Sequence, residues 1–386
     1  MVYIFLVSCI AIFIVSEAGA IDPGTGDDED VVPAVEETPQ RDLRVEDETG
    51  VYRFYGFLNK GLLSYDDGGS SRAYFPVDNW GYQSRFGIEG KSRKFNGWAI
   101  GARLELGWDP YSTMTVNQTN RYIDWSVTLR KAEIALFGDG FGEMFLGQGS
   151  MASDGTAEVD LSGTTLAGQS RVGRIAGGQM YRLTDGALSD TQILDTYTNM
   201  DGFGRRLRVR YDTPKWNGFT LSAAIGQTVV PNVEDNLGWD FALRYSDTLG
   251  AFKLAGAMAY SQNYSGDETI VDGSMSALHL QTGVSLTFAA GRTEKSEEPE
   301  RYVYSKLGYQ ANWFEIGTTA FSVDAYRGNS IDTDGDASTS YGFQFAQDVE
   351  DWQTTFYLGL RTYRYEALQQ SYRNGLAIIT GAFVSF

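Results

Sequence analysis

The chain offers few side chains for catalysis at neutral pH. Its 386 residues include one histidine, His279, and one cysteine, Cys9. Histidine is the usual general base near pH 7, and a zinc site needs several cysteine or histidine ligands. One residue of each type cannot build such sites. The sequence therefore predicts neither an enzyme nor a metal protein, and we expect no cofactor.

Arginines, in contrast, recur with a regular spacing that could act on charged solutes. In the segment "RLRVRYD", Arg206, Arg208 and Arg210 alternate with apolar residues. A period of two predicts a β-strand whose arginines share one face. The same alternation places three more arginines on polar strand faces: Arg85, Arg103 and Arg130. Guanidinium groups beside a narrow wet gap create a field that filters solutes by charge.

The composition indicates which elements must carry these arginines. The chain contains 45 Gly, 23 Tyr, 22 Phe and 8 Trp, but only 8 Pro. Aromatic residues favour strands and glycine favours the tight turns between them, so the sequence predicts an all-β protein. The formal net charge of -19 argues against nucleic acid as a partner.

The N-terminal fifty residues differ from the rest of the chain. Residues 1–20 combine an apolar stretch with the small residues Ala18, Gly19 and Ala20, which predicts a signal peptide and export. Residues 21–50 contain eleven acidic and two basic residues. So acidic a segment cannot bury a core, and we expect it to be a flexible linker.

From residue 51 onward, apolar and polar residues alternate in long segments. Sixteen strands are predicted, at 51–62, 83–91, 97–108, 124–137, 141–149, 204–212, 218–227, 238–247, 250–262, 271–279, 282–291, 301–310, 313–327, 339–348, 352–364 and 375–386. Strands of about ten residues with one apolar face fit an outer-membrane barrel better than a soluble sandwich. We therefore predict a transmembrane antiparallel β-barrel of sixteen strands, spanning residues 51–386, in which the last strand closes against the first.

One connection is much longer than the others. Residues 150–203 separate the fifth and sixth predicted strands and contain no strand-like run of similar strength. A loop this long in a compact domain is usually functional, and a sixteen-stranded barrel leaves a bore wide enough to admit it. We expect this third long loop to fold into the lumen.

The barrel region resembles the Gram-negative general porins. Five segments carry the resemblance in order: "RFYGFLNKGLLSYDDGG", "SRFGIEGKSRKFNGWAIGARLELGW", "RKAEIALFGDGFGEMFLGQG", "RLRVRYDTPKWNGFTLSAAIG" and the terminal "GAFVSF". The resemblance implies a homotrimer of sixteen-stranded barrels, in contact with lipid, in the cell outer membrane of a Gram-negative bacterium. It also implies a third loop that constricts the channel.

The resemblance further implies a row of wall arginines opposite carboxylates on the inserted loop. By position in the matching segments, Arg85, Arg130 and Arg206 are the expected wall arginines, and the alternation adds Arg103 and Arg208.

The loop itself departs from the family pattern. It contains no Pro-Glu-Phe-Gly-Gly type segment, so its carboxylates cannot be assigned by motif. Asp154, Glu158 and Asp160 are expected constriction residues only because they follow the fifth strand closely. Three arginines lie in the same loop and leave the ion preference open: Arg171, Arg174 and Arg182.

These features predict a water-filled channel for passive diffusion of small hydrophilic solutes and ions. The alternative is a barrel with a plugged bore that serves mainly as a surface scaffold or adhesin. Residues 150–203 separate the two hypotheses, because a channel needs this loop to narrow the bore and a plug needs it to fill the bore.

Overall fold

The computed structural model describes residues 43–228, 236–264, 267–294 and 298–386. The predicted signal peptide, and the predicted acidic linker as far as residue 42, lie outside the described residues. In chain order the strands are β1 (Leu43–Glu46), β2 (Gly50–Asp66), β3 (Ser71–Asp78), β4 (Arg85–Ser92), β5 (Trp98–Trp108), β6 (Val127–Gly138), β7 (Gly142–Ser150), β8 (Met180–Arg182), β9 (Leu188–Gln192), β10 (Arg205–Asp212), β11 (Phe219–Thr228), β12 (Asn236–Leu249), β13 (Phe252–Asn263), β14 (Thr269–His279), β15 (Val284–Glu294), β16 (Glu300–Phe314), β17 (Gly317–Asn329), β18 (Ala337–Val349), β19 (Thr354–Glu366) and β20 (Gly375–Ser385).

Helical structure is limited to single turns in the described ranges. They are the 3-10 turns Trp80–Tyr82, Val172–Ile175 and Glu350–Trp352 and the α-helical turn Ile193–Thr196. No helix in this part of the chain has the length and apolar character needed to cross a membrane.

Successive long strands pair antiparallel and close into a barrel of sixteen wall positions. β2 pairs with β4 along its first half and with β3 along its second half, so that β3 and β4 together fill one position. β20 pairs with β19 on one side and with β2 on the other, from Phe57 opposite Ser385 to Asp66 opposite Leu376. β1 adds a short ladder beside the start of β2, and β8 and β9 form a separate hairpin. The predicted fold class, an antiparallel sixteen-stranded barrel, is confirmed.

Two boundaries differ from the prediction. β3 lies within residues 63–82, which the sequence pattern assigned to a loop. The turn expected at 311–312 falls instead at 315–316, because β16 continues to Phe314 through a register shift that begins at Ala311. The predicted strand 313–327 therefore combined the end of β16 with most of β17.

The single histidine ends a strand at one of the short turns. His279 is the last residue of β14, and its Nδ1 lies 2.8 Å from Oγ1 of Thr282 in the following turn. Its ring packs against Phe252, with the ring centroids 4.8 Å apart. This is the turn position that the sequence predicted.

Barrel closure depends on a close approach between two glycines. Gly61 of β2 faces Gly381 of β20, and a Cβ at Gly61 would press on the Thr380 carbonyl. Because this obstacle is backbone, we predict that Gly61→Ala destabilises the closed barrel by about 1–3 kcal/mol. The measurement is the temperature at which the folded band shifts on semi-native gel electrophoresis. Gly256→Ala in β13 is the matched control, since its new Cβ would meet nothing closer than 3.5 Å; equal transition temperatures for the two variants would contradict the prediction.

Candidate functional site

The wall separates an apolar outer face from a polar inner face. In β5, Ile100 and Leu104 expose 47% and 36% of their surface on the outer face. Arg103 and Glu105 point the opposite way, as the strand period requires. The same pattern recurs along the other wall strands, so charged side chains accumulate inside the barrel.

An insert interrupts the wall halfway along the position shared by β3 and β4. Residues 79–84 leave the sheet there and include the 3-10 turn Trp80–Tyr82. The Asn79 side chain accepts a hydrogen bond from Gly81 N (3.0 Å) and donates one to the Leu166 carbonyl (2.9 Å). Tyr82 packs edge-on against Phe383 of the last strand. The insert thus projects Trp80 inward.

The long segment 151–204 binds to the inner face of the opposite wall. Its side chains and backbone hydrogen-bond to inward-facing residues of β12 to β19. The contacts include Ser153 with Asp240, Thr156 with Asp272, Leu161 with Ser276, Asp160 with Lys306, Thr164 with Ser322 and Tyr197 with the Thr339 carbonyl. These contacts keep the segment on the inner side of the wall, away from β4 to β7.

Glu105 organises one group of charges on the uncovered wall. Its carboxylate accepts a hydrogen bond from Arg130 Nε (2.6 Å) and another from the Tyr55 hydroxyl (2.9 Å). Arg85 lies 3.7 Å away and stacks over the Phe57 ring at 4.8 Å. Two guanidinium groups therefore share one carboxylate, which leaves the group with net positive charge.

Glu133 organises a second group further along the same wall. Arg208 forms a close ion pair with it and donates hydrogen bonds to the Ser150 (3.0 Å) and Gly147 (3.3 Å) carbonyls. Arg103 lies 3.9 Å from the same carboxylate and donates to Glu89 at 2.9 Å. Here each arginine has its own carboxylate, so the pairs are closer to neutral.

A cavity of about 360 Å³ lies beside segment 151–204, and the wall residues that line it belong to β10 and to the ends of β14, β15 and β16. Charged residues of both signs line it: Arg171, Arg174 and Arg205, and Asp154, Asp201, Glu268 and Glu300. Trp80 of the insert completes one side. A polar cavity of this kind can hold water and small charged solutes.

The pKa values of the two loop carboxylates in the cavity are shifted in opposite directions. Burial raises the pKa of Asp154, but Arg205 and a hydrogen bond from Ser150 outweigh it, so the pKa lies below its usual value. Burial also raises the pKa of Asp201, to about 7, and Glu158 and Asp154 add to the rise. Asp201 nevertheless accepts hydrogen bonds from two backbone N–H groups, at 2.9 and 3.0 Å.

The structure places the predicted wall arginines in three different surroundings. Arg85 and Arg130 meet at Glu105, and Arg103 and Arg208 meet at Glu133, as described above. Arg206 instead stacks on Phe203, 3.8 Å from its ring centroid, and donates to the Asn236 carbonyl at 2.8 Å. The neighbouring Arg205, rather than Arg206, lines the cavity.

The predicted loop carboxylates are also dispersed. Asp154 lines the cavity. Glu158 lies behind it and forms an ion pair of 2.8 Å with Arg174. Asp160 faces the opposite wall, where Lys306 donates to it at 2.7 Å. The position of Asp160 indicates a tether for the segment.

Sequence reasoning did not single out several charged or aromatic cavity residues: Trp80, Asp201, Arg205, Glu268 and Glu300. Trp80 lies in a segment that the sequence pattern assigned to a loop. Arg205 is at the start of a strand, where the alternation that marks inward-facing residues only begins. The doubled arginine in "GRRLRVR" was the available signal for Arg205.

The comparison with protein families decides the identity of this barrel. The model of the family described as Gram-negative porin matches residues 51–368. The chain belongs to the Gram-negative porin family. This porin is therefore an outer-membrane β-barrel channel protein of a Gram-negative bacterium, and the predicted family and location are confirmed.

Solved porin structures share the fold at low sequence identity. The anion-selective porin from Comamonas acidovorans aligns with a TM-score of 0.61 at 15% identity, covering 87% of this chain and 99% of that one. Salmonella typhi OmpF, solved in complex with daunomycin, aligns with a TM-score of 0.56 at 12% identity, covering 89% and 100%. Vibrio cholerae OmpT aligns with a TM-score of 0.56 at 11% identity, covering 89% and 100%. Among curated protein sequences, none matches this porin.

Proposed function

We propose that this porin is a water-filled channel for the passive diffusion of small hydrophilic solutes and ions, and that it catalyses no reaction. The observation that carries the proposal is the charged cavity of about 360 Å³ that segment 151–204 leaves unfilled beside β10 and the ends of β14, β15 and β16. A channel narrowed by an internal segment requires such a gap, whereas a plugged barrel requires the segment to fill it.

The narrowing has charged groups on both of its sides. Arg85 and Arg130 on the wall share a single carboxylate, and Arg205, whose charge interacts with that of Arg130, lines the cavity. Asp154 and Asp201 lie on the loop side. We propose that these opposed charges form the constriction and filter solutes by charge as well as size.

One observation favours the rival function of a plugged scaffold. Tyr197 contacts Tyr326 and Tyr363, at ring-centroid distances of 5.2 and 5.3 Å, so this part of segment 151–204 packs directly on β17 and β19. The next residue, Thr198, nevertheless lines the charged cavity. The rival function therefore requires a closed passage despite the cavity.

A homotrimer in contact with outer-membrane lipid is the proposed assembly. It is supported by family membership and by Vibrio cholerae OmpT, which has been solved in a trimer form and aligns with a TM-score of 0.54 at 12% identity. The exposed leucines, valines and phenylalanines of the outer face supply the surface that lipid would cover.

Planar-bilayer recording tests the proposed channel. We expect ohmic current steps from the purified protein in potassium chloride. Replacing both Arg85 and Arg130 by glutamine should shift the reversal potential in a salt gradient toward cation preference, because the uncovered wall loses two positive charges. Arg292→Gln is the control, since Arg292 is 48% exposed and pairs with Glu294. The absence of current steps at any voltage would refute the channel.

A further inference from the structure

Two arginines of the cavity lack the partners that the other wall arginines have. Arg171 lies on segment 151–204, and Arg205 is the first residue of β10. Within the described ranges, neither guanidinium forms an ion pair or a side-chain hydrogen bond. Arg130 and Arg208, by contrast, are both held by carboxylates. The charge of Arg205 acts on nearby Asp154, but a guanidinium that forms no hydrogen bond keeps its donors available for a solute.

Trp80 holds Arg171 in place without neutralising its charge. The Arg171 guanidinium carbon lies 5.3 Å from the Trp80 ring centroid, and that of Arg174 lies 5.0 Å from it. Stacking on an indole orients a guanidinium through the electron-rich ring face and leaves its N–H groups unused. The backbone of the insert is anchored at the same residue, because the Trp80 backbone N–H donates to Oγ1 of Thr113 at 3.2 Å.

We propose that Arg171 and Arg205 form a binding subsite for small solutes that carry a carboxylate or phosphate group, with Trp80 positioning Arg171. The planar fork of a guanidinium matches the spacing of two oxygens on such a group. The subsite rests on the proposed channel function and assigns a solute class to the charged cavity. A cavity of about 360 Å³ is large enough for a small organic anion.

The other charges around the cavity limit how tightly an anion is held. Arg174 already pairs with Glu158, and four carboxylates also line the cavity: Asp154, Asp201, Glu268 and Glu300. These carboxylates repel an anion, so binding is weak. Weak binding suits a channel, because a solute must leave the subsite as readily as it enters.

The test is the block of chloride current by two probe anions, inorganic phosphate and benzoate, with neutral benzamide as the comparison. We expect a saturable fall in chloride conductance with either anion and none with benzamide. Replacing Arg171 and Arg205 together by glutamine should weaken the block about tenfold or more, because two charged hydrogen-bonding groups are lost. Arg364→Gln is the matched control, since that side chain is 63% exposed.

The role of Trp80 has a readout of its own. Trp80→Leu should weaken the block while heat stability stays unchanged, and Trp80→Phe should restore much of the block because an aromatic face remains. A block equally strong in the native porin, in Trp80→Leu and in the double arginine variant would overturn the subsite.

The channel and the subsite can fail separately. Normal current steps without anion block would reject the subsite and leave the channel standing. If no current steps occur, titration calorimetry with phosphate on the detergent-solubilised protein still tests the subsite. Heat of binding that is absent in the native protein, or equal in the double arginine variant, would then reject it.

Discussion

Replacing Lys306 by methionine should loosen segment 151–204 and raise both the unit conductance and the current noise of the channel. Lys306 is 1% exposed, and its Nζ donates to Asp160 Oδ2 and to the Gly168 carbonyl, each at 2.7 Å. Methionine fills much of the same space but leaves the Asp160 carboxylate buried without its cation. Breaking a buried ion pair in this way costs about 3–5 kcal/mol. The segment can avoid most of this cost by moving away from the wall.

The matched control for Lys306 is the same substitution at an exposed ion pair. Lys94 and Asp139 are 2.8 Å apart, with side chains 58% and 62% exposed, so Lys94→Met should change stability by less than about 1 kcal/mol and leave conductance unchanged. Adding Asp160→Leu to Lys306→Met should recover part of the native behaviour, because an apolar pair leaves no buried charge unpaired. Native conductance in Lys306→Met would show that Lys306 does not tether the segment.

The strands of this barrel could be predicted because each wall residue has only two environments. A side chain on β5 or β12 meets either the apolar outer medium or the polar lumen, so the sequence alternates with a period of two. Closure by β20 followed from the same rule, since a spanning sheet leaves no open edge. The predicted and observed bounds of these strands therefore agree within a few residues.

The insert could not be predicted, because its residues do not alternate between the two environments of the wall. Residues 79–84 leave the sheet and pack inside the barrel, where Asn79 bonds to a carbonyl 87 positions later in the chain. The residue types of the insert suit contacts with that distant segment and do not follow the period of a strand. The sequence pattern therefore predicted an ordinary loop here, and β3 was missed because it lies in the same stretch.

The sequence predicted a group of loop carboxylates after the fifth strand, but not which of them lines the cavity. The three carboxylates are close in sequence, yet their surroundings differ. Asp154 lines the cavity, Glu158 pairs with an arginine of the same segment, and Asp160 faces the opposite wall. The difference arises from contacts such as that between Asp160 and Lys306, which are 146 positions apart. Nothing local in the sequence encodes such a pairing.

The cation preference of the channel should rise with pH, with a midpoint near 7, because Asp201 ionises there. Burial, together with the nearby Glu158 and Asp154, raises the pKa of Asp201 from 3.8 to about 7. The charged groups that act on it are Asp154, Glu158, Arg171, Arg244 and Asp272. Below the midpoint Asp201 is neutral, and above it the cavity gains a negative charge. The raised pKa also means that Asp201 favours the folded state most below its unfolded pKa of 3.8, and that this contribution is lost progressively as pH rises from there to about 7.

Reversal potentials recorded from about pH 5 to about pH 9 in a fixed salt gradient measure this change, since ordinary carboxylates and arginines keep their charge across that range. Asp201→Asn should abolish the step near pH 7 and hold the channel at its acidic-side selectivity, because the amide cannot ionise. Asp185→Asn is the matched control, since Asp185 lies in the same segment but is exposed and accepts a hydrogen bond from Ala187 N. It should keep the step. A step that survives in Asp201→Asn would assign the titration to another group.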